Sequence, residues 1–484
     1  MKSKYVANYS LTKKKYSNAE MYNTYDKKNK MKFTKHLLLI AFILFTSGTF
    51  VQISSQNNSK VIQPMEWWKE ARFGMFIHWG LYALPARHEW VMSKEQMPVE
   101  KYEQYKDYFN PDLYNPVEWA RMAKNAGMKY VVFTSKHHDG FCMYDSRYTD
   151  YKITNTSFKR DIMAELIEAF RNEGIRIGLY YSLIDWHHPD FLVKDPIHPM
   201  RNNKNELEKD AKRDVKRFQA YLKNQITEIL TNYGKIDVLF TDYSYSNQVN
   251  GKGKEYWNSA DLYQTIKKIQ PEIIINDRLD LMEDKKWDYL TPEQFMPREW
   301  VTYAGSKQPW ETCQTFSGSW GYFRDEYTWK NTRQVAVMLI ETVSKGGNLL
   351  MNVGPTARGV IQQEAVDRLE EIGKWIKFHG RAIYSCTAAP DQLKKADNCL
   401  YTFNPKTNRL YVHVLEWPFK SIYLPGLKAK VKYAQLLNDG SELNFSDVKG
   451  AWMDNQTVED DGLTIQLPVT QPNVLVPVIE LFLK

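Results

Sequence analysis

Short apolar runs alternate with amphipathic stretches along the chain from residue 73 to residue 379. Runs such as KYVVFTSK, IRIGLYYS and IDVLFTDY are rich in β-branched and aromatic residues, which is typical of buried strands. Between the runs, apolar residues recur three and four positions apart. These helical stretches, which span 117–125, 161–172, 214–233 and 261–269, each end at a Gly or Pro ahead of the next strand. The pattern predicts repeated βα units around a parallel sheet.

About eight strands can be counted, although the two at 287–293 and 311–316 have weak patterns. A glycine-rich phosphate turn, which an open doubly wound sheet would usually carry, is not found. The sequence therefore predicts an α/β fold, a (β/α)8-like TIM barrel, over residues 62–385. Beyond it, short strands broken by Asn, Pro and Gly predict an antiparallel β-sandwich over residues 386–484.

The N-terminal residues 1–56 are set apart from the predicted fold. Met31 is followed by Lys32, Lys35 and the apolar run LLLIAFILFTSGTF, which is the pattern of a signal peptide with its core at 31–50. The run is shorter than the ~20 residues of a transmembrane helix, so we expect cleavage between residues 47 and 56 and no membrane span in the mature protein. An uncleaved anchor is the alternative. The expected location is outside the cytoplasm, periplasmic or extracellular.

Charge and cysteine content exclude some functions. The net charge of +8 resides in the first 36 residues, which hold ten lysines against two acidic residues, so the rest has no bias toward nucleic acid. The four cysteines show no CxxC spacing, which disfavours a structural zinc. Buried, reduced thiols are expected, with a Cys386–Cys399 disulfide as the alternative.

Polar residues follow the predicted strands where a barrel would place its reacting groups. They close or follow five successive strands: His78; His137, His138 and Asp139; Tyr181 and Ser182; Asp242; Asn276, Asp277 and Arg278. A single strand-end residue is more often structural, but five in succession indicate a pocket.

Two of the carboxylates in this region fit glycoside cleavage. That reaction needs one nucleophilic and one proton-donating carboxyl group, ~5–5.5 Å apart when configuration is retained, and Asp242 and Glu293 are the candidates. Arg278 would orient Asp242 and stabilise its charge, and Tyr181 could donate a hydrogen bond to it. Adjacent residues such as His137 and His138 rarely share one ion, so we expect neither a metal nor another cofactor.

Long motifs then indicate a family. WWKEARFGMFIHWGLYALPA, AGMKYVVFTSKHHDGF, KRDIMAELIEAFRNEGIRIGLYYSLIDWH, IDVLFTDY, INDR, TPEQ, WETCQTFSGSWGY and SKGGNLLMNVGPT occur in this order. From about Met65 onward the sequence resembles glycoside hydrolase family 29, the α-L-fucosidases. The resemblance implies an exo-acting, retaining hydrolase of terminal α-L-fucosyl residues, with a fucosylated glycan as its partner.

The resemblance also implies roles for single residues. Asp242 matches the nucleophile and Glu293 the acid/base, with Glu311 in WETC as the alternative acid/base. Fucose would be surrounded by His78, Glu89, Trp90, His137, His138, Tyr181, Arg278 and Trp320.

One motif departs from the family pattern, because FTDYSYS replaces the common WFDG around the nucleophile. This change puts substrate range in question. A hydrolase of another or sulfated fucose-containing polysaccharide, acting in endo mode, is the first alternative, and a non-catalytic glycan-binding protein is the second.

Overall fold

The computed structural model describes residues 64–447 and 461–484. The predicted signal peptide lies outside the described residues. Contacts join Ile62–Lys484 into one compact unit, so the barrel and the sandwich are not separated by a sparse linker. The limits 62–385 and 386–484 stay predictions, although the first strand of the C-terminal sheets begins at Thr387.

Twelve α-helices are found in the described part of the chain. They are α1 Pro64–Ala71, α2 Val91–Lys94, α3 Val99–Glu103, α4 Tyr105–Tyr108, α5 Pro116–Asn125, α6 Ile162–Asn172, α7 Lys204–Glu208, α8 Val215–Asn232, α9 Lys254–Trp257, α10 Ser259–Ile269, α11 Thr332–Ser344 and α12 Gln363–His379. Side chains cap several of the helices. Asp161 accepts a hydrogen bond from the Ala164 amide, and Asp214 accepts from two amides at the start of α8.

The strands form one parallel sheet, two antiparallel sheets and a hairpin. They are β1 Phe73–Ile77, β2 Tyr130–Lys136, β3 Arg176–Ser182, β4 Val238–Asp242, β5 Ile274–Ile275, β6 Thr302–Tyr303, β7 Ser306–Lys307, β8 Glu311–Thr315, β9 Asn348–Val353, β10 Thr387–Ala388, β11 Cys399–Asn404, β12 Arg409–Val414, β13 Ser421–Leu424, β14 Val431–Leu436, β15 Phe445–Ser446, β16 Leu463–Gln466 and β17 Val478–Leu483.

The parallel sheet has seven strands in the order β5-β4-β3-β2-β1-β9-β8. The TIM-like fold class is confirmed, but the count of eight regular strands is wrong by one. The weak segment at 287–293 forms only isolated bridges, Asn276↔Tyr289 toward β5 and Leu290↔Trp310 and Glu293↔Cys313 toward β8. An irregular segment, rather than a strand, therefore lies between β5 and β8.

The side chains of each strand alternate between two apolar clusters, one inside the curled sheet and one between the sheet and the helices. Phe76, Tyr180 and Phe240 belong to a cluster inside the curled sheet. Their neighbours Ile77 and Leu179 instead join the large cluster that the surrounding helices cover. Successive strand residues point to opposite faces, so even positions on β1, β3 and β4 face the barrel interior.

The C-terminal part is an antiparallel sandwich. A five-stranded sheet, β10-β11-β12-β17-β14, accompanies a three-stranded sheet, β13-β16-β15. Leu424, Leu463 and Ile465 pack with Leu410 and Leu481 in a separate apolar cluster. The sandwich fold predicted from the broken strand pattern is confirmed.

All four cysteines are buried and unpaired, so the structure contains the reduced thiols and not the Cys386–Cys399 disulfide. In residues 64–447 and 461–484, no helix is both long and apolar enough to cross a membrane.

Candidate active site

A cavity opens at the carboxyl ends of the barrel strands; we call it the inner cavity. It is lined by Phe76, His78, Trp90, His137, His138, Tyr180, Phe240, Asp242, Tyr243, Arg278, Glu293, Cys313 and Trp320. Eight of the residues predicted from sequence are among these. Glu89, Tyr181 and Glu311 are not.

Asp242 is the last residue of β4, and two side chains hold its carboxylate. The Tyr180 hydroxyl donates to Oδ2 over 2.8 Å, and Nη1 of Arg278 donates to Oδ1 over 2.6 Å. Nε2 of His138 lies 3.8 Å from Oδ2. With the side chain 9% exposed, the carboxylate is fixed in position and still reached from the cavity.

Arg278 also binds the second carboxylate. Its Nη2 donates to Oε2 of Glu293 over 2.7 Å, while Nε donates to the Thr291 hydroxyl over 3.0 Å. A planar guanidinium presents its donors in fixed directions, so one side chain sets the positions of both carboxylates. The Glu293 side chain is 40% exposed, which puts it at the cavity mouth above the more enclosed Asp242.

The expectation that Tyr181 donates to Asp242 is wrong, because its neighbour Tyr180 does so. Tyr181 points out of the barrel, where its hydroxyl donates to Oε1 of Gln225 on α8 over 2.8 Å. Adjacent strand residues face opposite sides of the sheet. An error of one position in the prediction therefore selects a side chain that faces the helices instead of one that faces the cavity. Burial, followed by the charge of Asp242, raises the pKa of Tyr180 well above its usual range, which keeps its proton on the phenol.

Three imidazoles in the inner cavity are neutral at physiological pH. Burial lowers the pKa of His78 and of His138 to about 3 and that of His137 well below its usual value. Neutral imidazoles suit hydrogen bonding with sugar hydroxyls better than charge interactions.

The hydrogen-bond partners fix two of the tautomers. Nδ1 of His78 contacts Oδ1 of Asn352 at 2.7 Å, and Nδ2 of that amide donates to the Trp320 carbonyl. Nδ1 of His138 contacts the Ser182 hydroxyl at 2.7 Å, and Ser182 donates to the Ile184 carbonyl. Both Nδ1 atoms therefore donate, which leaves both Nε2 atoms as acceptors. Buried Nδ1 of His137 has no hydrogen-bond partner among the described residues.

Aromatic rings form much of the wall of the inner cavity. The ring of Trp320 lies 5.0 Å from the His78 ring and 5.8 Å from that of Phe76. On the other side, Trp90 contacts Tyr243 at 5.9 Å and His138 at 5.1 Å. Tyr243 is one of the residues that depart from the family pattern, so part of the departure lies in the cavity wall.

Glu89 lies behind this wall rather than on the inner cavity. Its Oε2 accepts from the Gly321 amide over 2.8 Å, and burial raises the pKa of its carboxyl. It lines a second, more open cavity, together with Trp90, Lys94, Gln294, Thr315, Ser317, Gly318 and Trp320.

Glu311 is excluded as the acid/base by its position. It is the first residue of β8, in register with Asn348 at the start of β9, and thus lies at the amino ends of the strands. It is fully buried, accepts a hydrogen bond from Tyr130 and does not line the inner cavity. The short sequence distance from Glu293 to Glu311 conceals their separation, because the chain returns to the barrel floor between them.

Sequence reasoning missed Tyr180, Phe76, Phe240, Cys313 and Asn352. Phe76 and Phe240 could have been found by stepping back two positions from His78 and Asp242 along their strands. Tyr180 and Asn352 required the strand register, which the apolar strands do not reveal by themselves. No cluster of three or more His, Cys, Asp or Glu residues suited to a metal ion occurs in the described parts of the chain.

Comparison with known proteins gives one consistent family. The α-L-fucosidase family profile matches residues 48–381. The chain is 31% identical to the human plasma α-L-fucosidase over 439 residues, which cover 83% of this chain and 85% of the relative.

Solved structures agree. An α-L-fucosidase isoenzyme 1 from Paenibacillus thiaminolyticus is 44% identical with a TM-score of 0.82, covering 87% of this chain and 99% of that one. A family 29 enzyme from Bacteroides thetaiotaomicron, solved as a trapped covalent intermediate with 2-fluoro-fucosyl fluoride, is 29% identical with a TM-score of 0.73, covering 87% and 96%.

Proposed function

The chain belongs to the α-L-fucosidase family of glycoside hydrolases, and we propose that Asp242 is its nucleophile and Glu293 its general acid and base. The enzyme is a retaining exo-fucosidase that removes terminal α-L-fucosyl residues from glycans. The observation that supports the two roles is the guanidinium of Arg278, which binds one oxygen of each carboxylate. Retention needs two carboxyl groups ~5–5.5 Å apart, and a shared guanidinium favours such a short separation.

In the first step, an oxygen of Asp242 attacks C1 of fucose as the bond from C1 to the leaving oxygen breaks. Glu293 gives its proton to that oxygen, which departs as an alcohol. Because Tyr180 and Arg278 already hold the carboxylate, little reorganisation of Asp242 is needed. The product of this step is a fucosyl ester of Asp242.

In the second step, Glu293 as a carboxylate takes a proton from water, and the water oxygen attacks C1. The ester bond to Asp242 breaks, fucose leaves with its original configuration, and both carboxyl groups return to their starting states. Exposure of 40% at Glu293 against 9% at Asp242 suits an acid/base that must meet water.

Substrate positioning is assigned to the neutral imidazoles and the rings. The Nε2 acceptors of His78 and His138 can each accept a hydrogen bond from a sugar hydroxyl. Trp90, Trp320 and Phe76 offer apolar surface to the C5 methyl group.

Rescue of inactive variants by azide distinguishes the nucleophile from the general acid and base. Asp242→Ala should hydrolyse an aryl α-L-fucoside at least a thousandfold more slowly, and azide should restore turnover as the inverted β-fucosyl azide. With Glu293→Ala, azide should give the retained α-fucosyl azide instead. Asp391→Ala, which changes an exposed acidic residue in a loop, serves as the control for folding and assay. Full activity of Asp242→Ala would contradict the assignment.

The mode of action is tested on the products. Free fucose as the only new saccharide is expected from an exo enzyme, whereas a ladder of fucose oligosaccharides would indicate the endo alternative. Binding of fucosides without any hydrolysis would indicate a non-catalytic glycan-binding protein.

Export through a cleaved signal peptide is part of the proposal. It is supported by the basic and apolar pattern of residues 31–50. Expression of the full chain in a bacterial host, followed by N-terminal sequencing of the mature protein, should find a new terminus between residues 47 and 56. An intact N-terminus in the cytoplasmic fraction would contradict it.

A further inference from the structure

Two of the loops at the mouth of the barrel are joined by a buried acidic residue. Asp195 lies in the loop that follows β3, and its side chain is 0% exposed. Its Oδ1 accepts hydrogen bonds from two amides of its own loop, those of Ile197 over 2.8 Å and His198 over 3.0 Å. Its Oδ2 accepts from Nζ of Lys252 over 2.5 Å and from the Tyr245 hydroxyl, both in the loop that follows β4. Asp195 therefore fixes the loop after β4 to the loop after β3.

Tyr245 connects Asp195 with the active site. Its ring packs against the ring of Tyr243, with the ring centres 4.9 Å apart. The Tyr243 ring in turn contacts the rings of His138 and Trp90, at 5.5 and 5.9 Å between centres. Tyr243, His138 and Trp90 line the inner cavity, whereas Tyr245 and Asp195 do not. A continuous series of contacts thus leads from Asp195 to the wall of the inner cavity.

We propose that Asp195 is a positioning residue for the fucose site, because through Tyr245 it holds the ring of Tyr243 in the wall of the inner cavity. This inference rests on the proposed function, which makes the inner cavity the fucose site. Tyr243 contacts the sugar, whereas Asp195 and Tyr245 act on the sugar only through Tyr243.

Tyr243 needs such a support because it begins a loop. β4 ends at Asp242, and the common family pattern has glycine at the next position, so the ring of Tyr243 is an addition to the cavity wall. The ring is half-buried and lines the cavity, so part of it has no protein neighbour to restrain it. A side chain that must stay within about 0.5 Å of a productive position requires packing from the residues behind it.

The backbone next to Tyr243 is fixed separately from the ring. The Ser244 hydroxyl donates to the Arg278 carbonyl over 2.9 Å and accepts from Nε1 of Trp257 over 2.9 Å. Of the three rings that contact the Tyr243 ring in the described part of the chain, that of Tyr245 alone lies outside the cavity lining. The Tyr245 ring is therefore the support behind Tyr243.

The loop after β4 closes on itself at Tyr245, which brings Lys252 to the same carboxylate. The Tyr245 amide donates to the Lys252 carbonyl over 2.8 Å, and a Cβ added at Gly251 would lie 1.9 Å from the Tyr245 carbonyl oxygen. Only glycine permits this approach. The Lys252 side chain is 3% exposed, and its ammonium group compensates the buried charge of Asp195.

The test measures how tightly free L-fucose binds, as a competitive inhibitor of aryl α-L-fucoside hydrolysis. Tyr245→Phe removes the hydroxyl contact with Asp195 and keeps the ring. The inhibition constant should rise about three- to tenfold, the worth of one hydrogen bond. kcat should change less, since Tyr180 and Arg278 still hold Asp242. Urea unfolding checks that the variant is folded under the assay conditions.

Tyr243→Ala decides whether the effect passes through Tyr243, because alanine removes the ring without adding the backbone freedom of glycine. In this background, Tyr245→Phe should leave the inhibition constant of L-fucose unchanged, although it should still lower the free energy of unfolding. Effects of the two substitutions that multiply would overturn the proposal, as would an unchanged inhibition constant in Tyr245→Phe alone.

Tyr411→Phe is the matched control. The Tyr411 hydroxyl donates to Oε1 of the buried Glu480 over 3.2 Å, on β12 and outside the lining of the inner cavity. The variant should lower the free energy of unfolding and keep the wild-type inhibition constant. A rise equal to that in Tyr245→Phe would assign the effect to a general loss of stability and overturn the proposal. Failure of the wild-type enzyme to hydrolyse the aryl fucoside would instead overturn the proposed function itself.

Discussion

The Tyr180 hydroxyl donates a 2.8 Å hydrogen bond to Oδ2 of Asp242 across two neighbouring strands. The strands β3 and β4 are parallel and in register from Gly178↔Val238 to Ser182↔Asp242. Tyr180 is therefore two residues below the strand end, and its long side chain rises inside the barrel to the carboxylate. This pair is the basis of the first prediction.

Tyr180→Phe should lower kcat on an aryl fucoside about ten- to a hundredfold, because a hydrogen bond to a charged group contributes ~1.5–3 kcal/mol. Tyr181→Phe is the matched control one residue away. It should leave kcat near the wild-type value and lower the free energy of unfolding by ~1–3 kcal/mol, because the buried Oε1 of Gln225 then loses its hydrogen-bond donor. Steady-state kinetics and urea unfolding of both variants check this contrast. A loss of kcat in Tyr181→Phe with normal kcat in Tyr180→Phe would show that Tyr181, and not Tyr180, acts on Asp242.

A second prediction concerns Arg278, which lies between the two carboxylates. Arg278→Lys keeps the charge but loses the planar fork, so one ammonium group cannot hold both carboxylates in the same geometry. We expect kcat/KM to fall at least tenfold on the aryl fucoside and on fucosyl fluoride.

The control for Arg278 is Arg381→Lys, which changes an ion pair with Glu480 in the C-terminal part of the chain. It should retain wild-type kinetics. Equal activity of the two variants would show that the fork of Arg278 is not required.

A third prediction uses the buried carboxyl of Glu311, whose pKa burial raises to about 8. In the folded protein it is protonated, whereas in the unfolded chain it loses its proton near the ordinary value of 4.5. The folded state binds more protons between these values, so wild-type stability falls as pH rises from about 4.5 to 8, by about 1.4 kcal/mol per pH unit at most.

Glu311→Gln removes that dependence, because the amide stays neutral and its oxygen still accepts from Tyr130. The variant should match the wild type near pH 5 and be more stable at pH 8, as urea unfolding at both values would measure. It should also hydrolyse the aryl fucoside normally, and an inactive but folded variant would revive Glu311 as the acid/base.

The fold was predictable because local signals agree with each other. The helix at 161–172 was predicted from its apolar spacing and the following Gly174, and the structure has it at Ile162–Asn172. The segment at 287–293 lacks these signals. Its pairing with β5 and β8 is made of single bridges, which depend on neighbours far away in sequence.

The sequence predicted which residues belong to the site better than it predicted which way their side chains face and how deep they lie in the barrel. Strand ends identified His78, His138 and Asp242, since a barrel brings all such ends together. The side a residue faces depends on register, which is why Tyr181 was chosen over Tyr180. Depth along the barrel axis is equally hidden in a sequence, which is why Glu311 stood beside Glu293 as a candidate.

The last prediction concerns the buried ion pair behind the histidines. Nζ of Lys136 lies 3.2 Å from Oδ2 of Asp185, with side chains 0% and 2% exposed. Oδ1 of Asp185 accepts from the amides of His187 and His188 and so fixes the loop after β3. Removing one partner leaves a buried charge without compensation, which costs ~3–5 kcal/mol.

Lys136→Met and Asp185→Asn should each lower the free energy of unfolding by about that amount, and the double variant should lose clearly less than their sum. The exposed pair Arg324–Asp325 gives the matched comparison, because its members are 66% and 67% exposed and a double-mutant cycle there should yield less than ~1 kcal/mol. Urea unfolding of the two cycles measures both coupling energies. Additive losses at Lys136 and Asp185 would mean that the two charges do not stabilise each other.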